Sequence, residues 1–176
     1  MQGTTASDDE DPPPLRWVRL QDCLEGGDGG LLQWAVTSGL DSEMVGRCQR
    51  GPNVVVGRLC RQGTRMSLLV PTAASQERID CATTPQVEVL INEDDAAHLD
   101  WVCAHTAIPP GALEAGWDNA EGMPTYAGRQ VAGSTQAWHN KVGQVKVSRL
   151  RKSPELNYAL DGRRTSDRCF VLCVVD

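Results

Sequence analysis

The chain has 176 residues, of which 40% are hydrophobic and 23% are charged, and its formal net charge is −6. A chain of this length can bury a sizeable core without disulfides or a structural metal, and it forms one domain or two small ones. Because no basic stripe stands out against the acidic balance, duplex nucleic acid is not an expected partner. No stretch reaches the roughly 20 apolar residues of a membrane-spanning helix, so no membrane span is expected.

The chain starts with a polar, acidic segment that ends in the prolines of residues 12–14. Residues 1–15 are therefore predicted to form a disordered leader. This leader has no apolar region of the kind that secretory signals carry, which predicts a cytoplasmic location. The seven cysteines are an odd number and form no Cys-x-x-Cys pair. Free, buried thiols are the favoured interpretation, and a disulfide framework is the alternative.

Four landmarks recur in the same order along the chain, which predicts an internal duplication. The matched segments are Trp17-Val18 with Trp101-Val102, then Ala35, Gly39 and Asp41 with Ala112, Gly116 and Asp118, then Val56-Gly57-Arg58 with Ala127-Gly128-Arg129, and finally residues 87–90 with residues 169–172. We predict two homologous repeats, residues 16–91 and residues 100–175. They are expected to pack with pseudo-twofold symmetry, because each sheet alone would leave an apolar face exposed.

Short apolar or alternating segments separated by turn-forming residues predict an all-β fold of antiparallel strands. The strand candidates are residues 54–60, 87–91, 141–148 and 169–175, and the turn candidates are residues 51–53, 119–122 and 161–162. Residues 23–30 are glycine-rich and are predicted to form a flexible loop. The best helix candidate is short, at residues 75–80.

Few residues suit catalysis or metal binding. Cys103 and His105 would share one face of a strand, but no signature of an orienting group or an oxyanion hole surrounds them. Adding His98 to this pair leaves a zinc site without a matching second pair of ligands. The glycine motifs of nucleotide-binding folds are absent from the sequence. We therefore predict a protein that acts without catalysis, metal or cofactor.

The repeated acids of Gly39-Leu40-Asp41 and Gly116-Trp117-Asp118 have two interpretations. The first is a ligand clamp: an acid accepts sugar hydroxyls, a nearby lysine donates, and an apolar side chain supports the sugar ring. The second is an Asx-turn, in which the aspartate caps its own backbone.

At these residues the chain resembles the DM-nine repeat family, whose module occurs twice over in small lectins and in the N-terminal part of natterin-like proteins. The second half carries the pattern at Trp101, residues 110–112, residues 115–118, Gly122, residues 125–129, Gly133 and residues 139–142. The first half carries it at Trp17, Ala35, residues 38–41, residues 55–58, Gly63 and residues 87–90.

The resemblance implies an all-β, pseudo-symmetric lectin that binds mannose or a mannan-type glycan, forms a homodimer and serves innate recognition. Carried over by motif, the sugar-binding acid and lysine are Asp118 and Lys141, with Trp117 or Trp138 near the ring. The first half keeps the acid as Asp41, whereas its lysine position reads Leu69. These departures leave an alternative, a degenerate lectin fold that serves as a structural or protein-interaction module.

Overall fold

The computed structural model describes residues 13–25, 30–38, 43–72, 76–130, 142–147, 152–160, 162–166 and 169–175. This part of the chain is mostly antiparallel β-sheet, which confirms the predicted all-β class. Its strands are β1 (Leu15–Arg19), β2 (Met44–Arg50), β3 (Asn53–Gln62), β4 (Arg65–Pro71), β5 (Gln76–Asp80), β6 (Val87–Asn92), β7 (Leu99–Ala104), β8 (Glu114–Asp118), β9 (Met123–Gln130), β10 (Val142–Val147), β11 (Pro154–Leu160), β12 (Gly162–Ser166) and β13 (Cys169–Val174). The described helices are short, namely the α-helix α1 (Leu20–Glu25) and the 3₁₀ helices Gly30–Trp34 and Glu93–Asp95.

The strands are joined by one continuous set of pairings. The main path runs β1-β6-β2-β3-β8-β9-β10-β11-β12, while β4 joins β3 to β5 and β13 joins β7 to β9. The two halves of the chain meet where β3 pairs with β8, through Val54 and Trp117. This junction brings the end of β8 against the first half of the chain.

The strand register of the first half recurs in the second. The recurring pairs are Trp17–Leu90 and Trp101–Leu172, Gly46–Val89 and Gly128–Val171, and Ala35–Ile91 and Ala112–Cys173. The duplication of residues 16–91 and 100–175 itself stays a prediction. Superposition of the halves about a twofold axis stays a prediction.

One of the four landmarks was matched to the wrong segment of the first half. The segment Ala127-Gly128-Arg129 lies in β9, against the last strand of its half. In the first half, residues 45–47 of β2 take that place against β6. The segment Val56-Gly57-Arg58 lies instead in β3, which corresponds to β10 by its pairing. A Gly-Arg pair occurs in both β2 and β3, so only the strand register distinguishes the two.

The apolar side chains form three clusters, and the central one takes residues from both halves. Its buried members are Val45, Val56, Leu90, Ala115, Ala127, Val142 and Leu172. The other two clusters lie one in each half. Since burying an apolar side chain stabilises a fold by about 1.5–3 kcal/mol, the central cluster makes each half depend on the other.

Two arginines also join the halves. Arg47 of the first half donates a hydrogen bond from Nη1 to the Ala115 carbonyl oxygen at 3.3 Å, and its guanidinium lies 4.2 Å from the centre of the Trp17 ring. Arg129 of the second half donates in return to the Ser38 carbonyl oxygen. Burial lowers the pKa of Arg129. The exchange satisfies backbone carbonyls that lie near the junction.

The helix predicted at residues 75–80 is wrong, because Gln76–Asp80 form strand β5. Ile79 lies opposite Leu68 of β4 and is 5% exposed, while its neighbours point outward. A strand therefore buries the one large apolar side chain of this segment. A helix forms instead at α1, where Leu20 and Cys23 are buried. Of the flexible loop predicted at residues 23–30, residues 23–25 thus belong to α1 and Gly30 begins a 3₁₀ helix, while residues 26–29 lie outside the described residues.

The cysteines agree with the prediction of buried, free thiols. Each of the seven is a thiol outside any disulfide: Cys23, Cys48, Cys81, Cys169 and Cys173 are buried, Cys60 is half-buried and Cys103 is exposed. Burial raises the pKa of Cys48 and Cys81 to about 11. Within the described ranges, no helix is long and apolar enough to cross a membrane.

Candidate functional site

Asp118, the predicted acid, ends strand β8 and begins the turn that leads to β9. Its backbone carbonyl accepts a hydrogen bond from the amide of Gly122 at 2.8 Å. Gly122 has a φ of +64°, a backbone conformation that glycine adopts more readily than other residues, so glycine is favoured at this position of the turn. The side-chain Oδ1 of Asp118 accepts from the amides of Ala120 at 3.0 Å and Glu121 at 3.2 Å. The Asx-turn interpretation is therefore confirmed.

The second carboxylate oxygen of Asp118 faces a lysine. Lys146 Nζ lies 3.4 Å from Asp118 Oδ2, and the two side chains are 29% and 16% exposed. Lys146 lies in β10, next to β9, which in turn pairs with β8. Two strand pairings thus bring the lysine to the acid across 28 positions of sequence.

Among the described residues, Lys146 is the cation beside Asp118, and the family resemblance did not select it. Lys141, Trp138 and Asp41 lie outside the described residues. Leu69, at the predicted lysine position of the first half, is 5% exposed in β4.

A cavity of about 300 Å³ opens beside the Asp118–Lys146 pair. Its polar lining consists of Asn53, Thr72, Asp118, Gln144, Lys146 and Asn157. The Asn53 Oδ1 accepts a hydrogen bond from the amide of Asn119 at 2.8 Å. The Gln144 Oε1 accepts from the amide of Val56 at 3.2 Å. Both amide side chains are held by the backbone, so the walls of the cavity are preorganised.

Trp117 provides the aromatic wall of this cavity. It is 42% exposed, one of few large apolar side chains on the described surface. Trp117 also borders a neighbouring groove of about 470 Å³, which is lined in part by the Arg47–Glu88 ion pair. An exposed indole beside a carboxylate, an ammonium and carboxamides is chemistry that suits a polar ligand with an apolar face.

Asp118 and Trp117, both predicted from the sequence, line this cavity, whereas Lys146 and the carboxamides of Asn53, Gln144 and Asn157 were not among the predicted site residues. The alternation in residues 141–148 placed Gln144 and Lys146 on one face of a strand. That signal predicted their common orientation, but the partner strand was not evident from it.

Metal binding and thiol chemistry are the two other hypotheses that the sequence raised for this chain. Among the described residues, no group of three or more His, Cys, Asp or Glu side chains is arranged to hold a metal ion. Cys103 lies in β7, which ends at Ala104, so His105 follows the strand and does not share its face; the Cys103 Sγ and His105 Nε2 atoms nevertheless lie 3.2 Å apart.

No protein-family model matches the chain, and no curated protein sequence matches it. The resemblance to the DM-nine repeat family therefore stays a prediction.

Proposed function

We propose that the protein is a non-catalytic carbohydrate-binding module of the mannose type, with its site in the cavity beside Asp118. The observation that carries the proposal is the Asp118–Lys146 pair at a cavity of about 300 Å³ that Trp117 also lines. This volume lies at the lower end of small-molecule sites, which suits a single sugar unit. The homodimer and the role in innate recognition belong to the same proposal and rest on the family resemblance alone.

The Asx-turn at Asp118 supports this function rather than opposing it. Oδ1 already accepts two backbone hydrogen bonds, which fixes the plane of the carboxylate. Oδ2 accepts one, from Lys146. Because each carboxylate oxygen has two lone pairs, Oδ2 keeps one for a sugar hydroxyl. The turn therefore presents a single oxygen in a fixed direction.

The other groups supply the remaining contacts that a hexose needs. The Lys146 ammonium has three donors and uses one on Asp118, so it can donate to further hydroxyl oxygens. The carboxamides of Gln144 and Asn157 also line the cavity. The indole of Trp117 offers an apolar surface for the C–H face of a sugar ring.

Among the described residues of the first half, the register position of Lys146 holds no cation. Gly57 lies opposite Gly46 as Gly143 lies opposite Gly128, so Cys60 takes the register position of Lys146. A cysteine cannot replace the charged donor. We therefore expect one sugar site per chain, in the second half.

A specific observation also favours the alternative, a lectin-like fold that serves as a structural or protein-interaction module. The carboxylate of Asp118 is satisfied by its own turn and by Lys146 without a ligand. Both interpretations use the same residues, and only binding measurements separate them.

The test is a titration with mannose, followed by tryptophan fluorescence and by calorimetry. We expect saturable binding with one site per chain. Asp118→Ala should weaken binding about 10- to 150-fold, since a hydrogen bond to a charged group contributes about 1.5–3 kcal/mol. Lys146→Met should weaken it within the same range. Asp41→Ala should leave it nearly unchanged, as should Glu114→Gln, a matched control on strand β8.

Galactose titrated in parallel tests the mannose preference. Saturable binding that is untouched by both Asp118→Ala and Lys146→Met would contradict the proposed site. Equal losses from Asp118→Ala and Asp41→Ala would show that the halves share the binding. No saturable sugar binding by the wild type would favour the structural alternative.

A further inference from the structure

Cys103 is the one exposed cysteine among the seven, and its sulfur atom contacts a histidine. It lies in β7, which within the described strands pairs only with β13, so the thiol sits on an outer strand. The Sγ of Cys103 and the Nε2 of His105 are 3.2 Å apart, which is hydrogen-bond distance for a sulfur atom. A thiol and its base are thus already in contact where a solute can reach them.

The remaining thiols are less accessible than Cys103. Five are buried and Cys60 is half-buried. Burial raises the pKa of Cys23, Cys48, Cys81 and Cys173. Since the thiolate is the reacting species, these cysteines are protected by both access and protonation. A thiol-reactive reagent added to the folded protein should therefore react with Cys103 before the other cysteines.

We propose that Cys103, with His105 as its base, is a modification site that takes small-molecule disulfides. In the tautomer protonated at Nδ1, His105 Nε2 accepts the thiol proton of Cys103. The resulting thiolate attacks one sulfur atom of the disulfide. A new bond forms between Cys103 Sγ and that sulfur, and the original sulfur–sulfur bond breaks. The leaving thiolate takes the proton back from the imidazolium and departs as a thiol.

The products are one mixed disulfide on the protein and one free thiol, with no net oxidation. Exchange of this kind needs only a thiolate, an accessible sulfur atom and a proton for the leaving group. The two residues supply the first and the third, and the outer position of β7 supplies access. The reaction is stoichiometric and uses neither Asp118 nor Lys146, so it does not depend on the proposed sugar binding.

The experiment treats the folded, reduced full-length chain with oxidised glutathione at pH 7. Intact mass spectrometry follows the adduct, and peptide mapping locates it. We expect one glutathionyl group per chain at Cys103. Cys103→Ser should abolish this fast adduct, whereas Cys60→Ser, which removes the next most accessible thiol, should leave it unchanged.

The histidine has its own test. His105→Asn should slow adduct formation about 5- to 20-fold, because an unassisted cysteine is only a few per cent thiolate at pH 7. His98→Asn, which changes another exposed histidine, should not alter the rate. An adduct that maps to any other cysteine would overturn the proposal. So would an unchanged rate in His105→Asn, which would reduce Cys103 to an ordinary surface thiol.

Discussion

Two replacements of Asp118 should separate the structural use of its carboxylate from its charge. Alanine removes the acceptor of the two backbone hydrogen bonds at 3.0 and 3.2 Å, together with the partner of Lys146. Loss of such a side-chain cap costs about 0.5–2 kcal/mol. Loss of a partly exposed ion pair adds about 0.2–1 kcal/mol. We expect Asp118→Ala to lower the free energy of unfolding by about 1–3 kcal/mol.

Asparagine keeps an oxygen at Oδ1 and can close the same turn. Asp118→Asn therefore loses only the charge that faces Lys146, and we expect a cost below about 1 kcal/mol. Lys146→Met removes the same ion pair from the other side and should match asparagine. For a chain of this size, 1 kcal/mol corresponds to a change in Tm of about 2–4 °C. Alanine should lower the Tm by about 2–12 °C, and asparagine by less than about 4 °C.

The assay is urea unfolding and thermal unfolding of the three variants, followed by circular dichroism. An unchanged urea dependence of the unfolding free energy confirms that only stability has changed. Equal losses in Asp118→Ala and Asp118→Asn would show that the charge, and not the turn, accounts for the cost. A loss below about 0.5 kcal/mol in Asp118→Ala would refute the capping role altogether.

Two further predictions concern the fold. Gly57→Ala should destabilise the protein by about 2–3 kcal/mol, because the new Cβ would lie 2.1 Å from the Leu69 carbonyl oxygen. Gly63→Ala should cost only about 1 kcal/mol, because Gly63 has a φ of +62° but open space around it. Urea unfolding in which Gly63→Ala is the more destabilised variant would contradict this. Stability should also fall as the pH rises from about 9 towards 11. The pKa of Cys48 and Cys81 is raised from 9.0 to about 11 in the folded chain, so these thiols lose their protons at a lower pH in the unfolded chain than in the folded one. Urea midpoints that stay constant over this range, measured on a reduced sample, would contradict the second prediction.

The strands were predictable where alternation and β-branched residues coincide. The apolar run of residues 169–175 became β13, and the alternating residues 87–91 became β6. Strand β5 was not predictable, because Gln76-Glu77-Arg78-Ile79-Asp80 has one large apolar residue and no periodic pattern. Its conformation follows from pairing with β4, which no local signal encodes.

The candidate site was predictable in its acid and its tryptophan but not in its cation. Asp118 and Trp117 stand in a short motif that recurs along the chain, and a turn follows them at once. Lys146 reaches Asp118 only through the pairing of β8 with β9 and of β9 with β10. The lysine carried over by motif is Lys141, which lies outside the described residues, so its place beside Asp118 stays a prediction.

The two halves differ most where the candidate site lies, and this difference has a physical reason. By strand register, Lys146 and Asn157 of the second half correspond to Cys60 and Leu69 of the first. Leu69 is 5% exposed, so the first half uses this position for apolar packing. A charged or amide side chain there would need a partner or water to remain buried. At this equally buried position the second half places the amide of Asn157, and at the other it places the ammonium of Lys146 where the first half has Cys60. The loss of both polar groups in the first half accounts for the expectation of a single site in the second half.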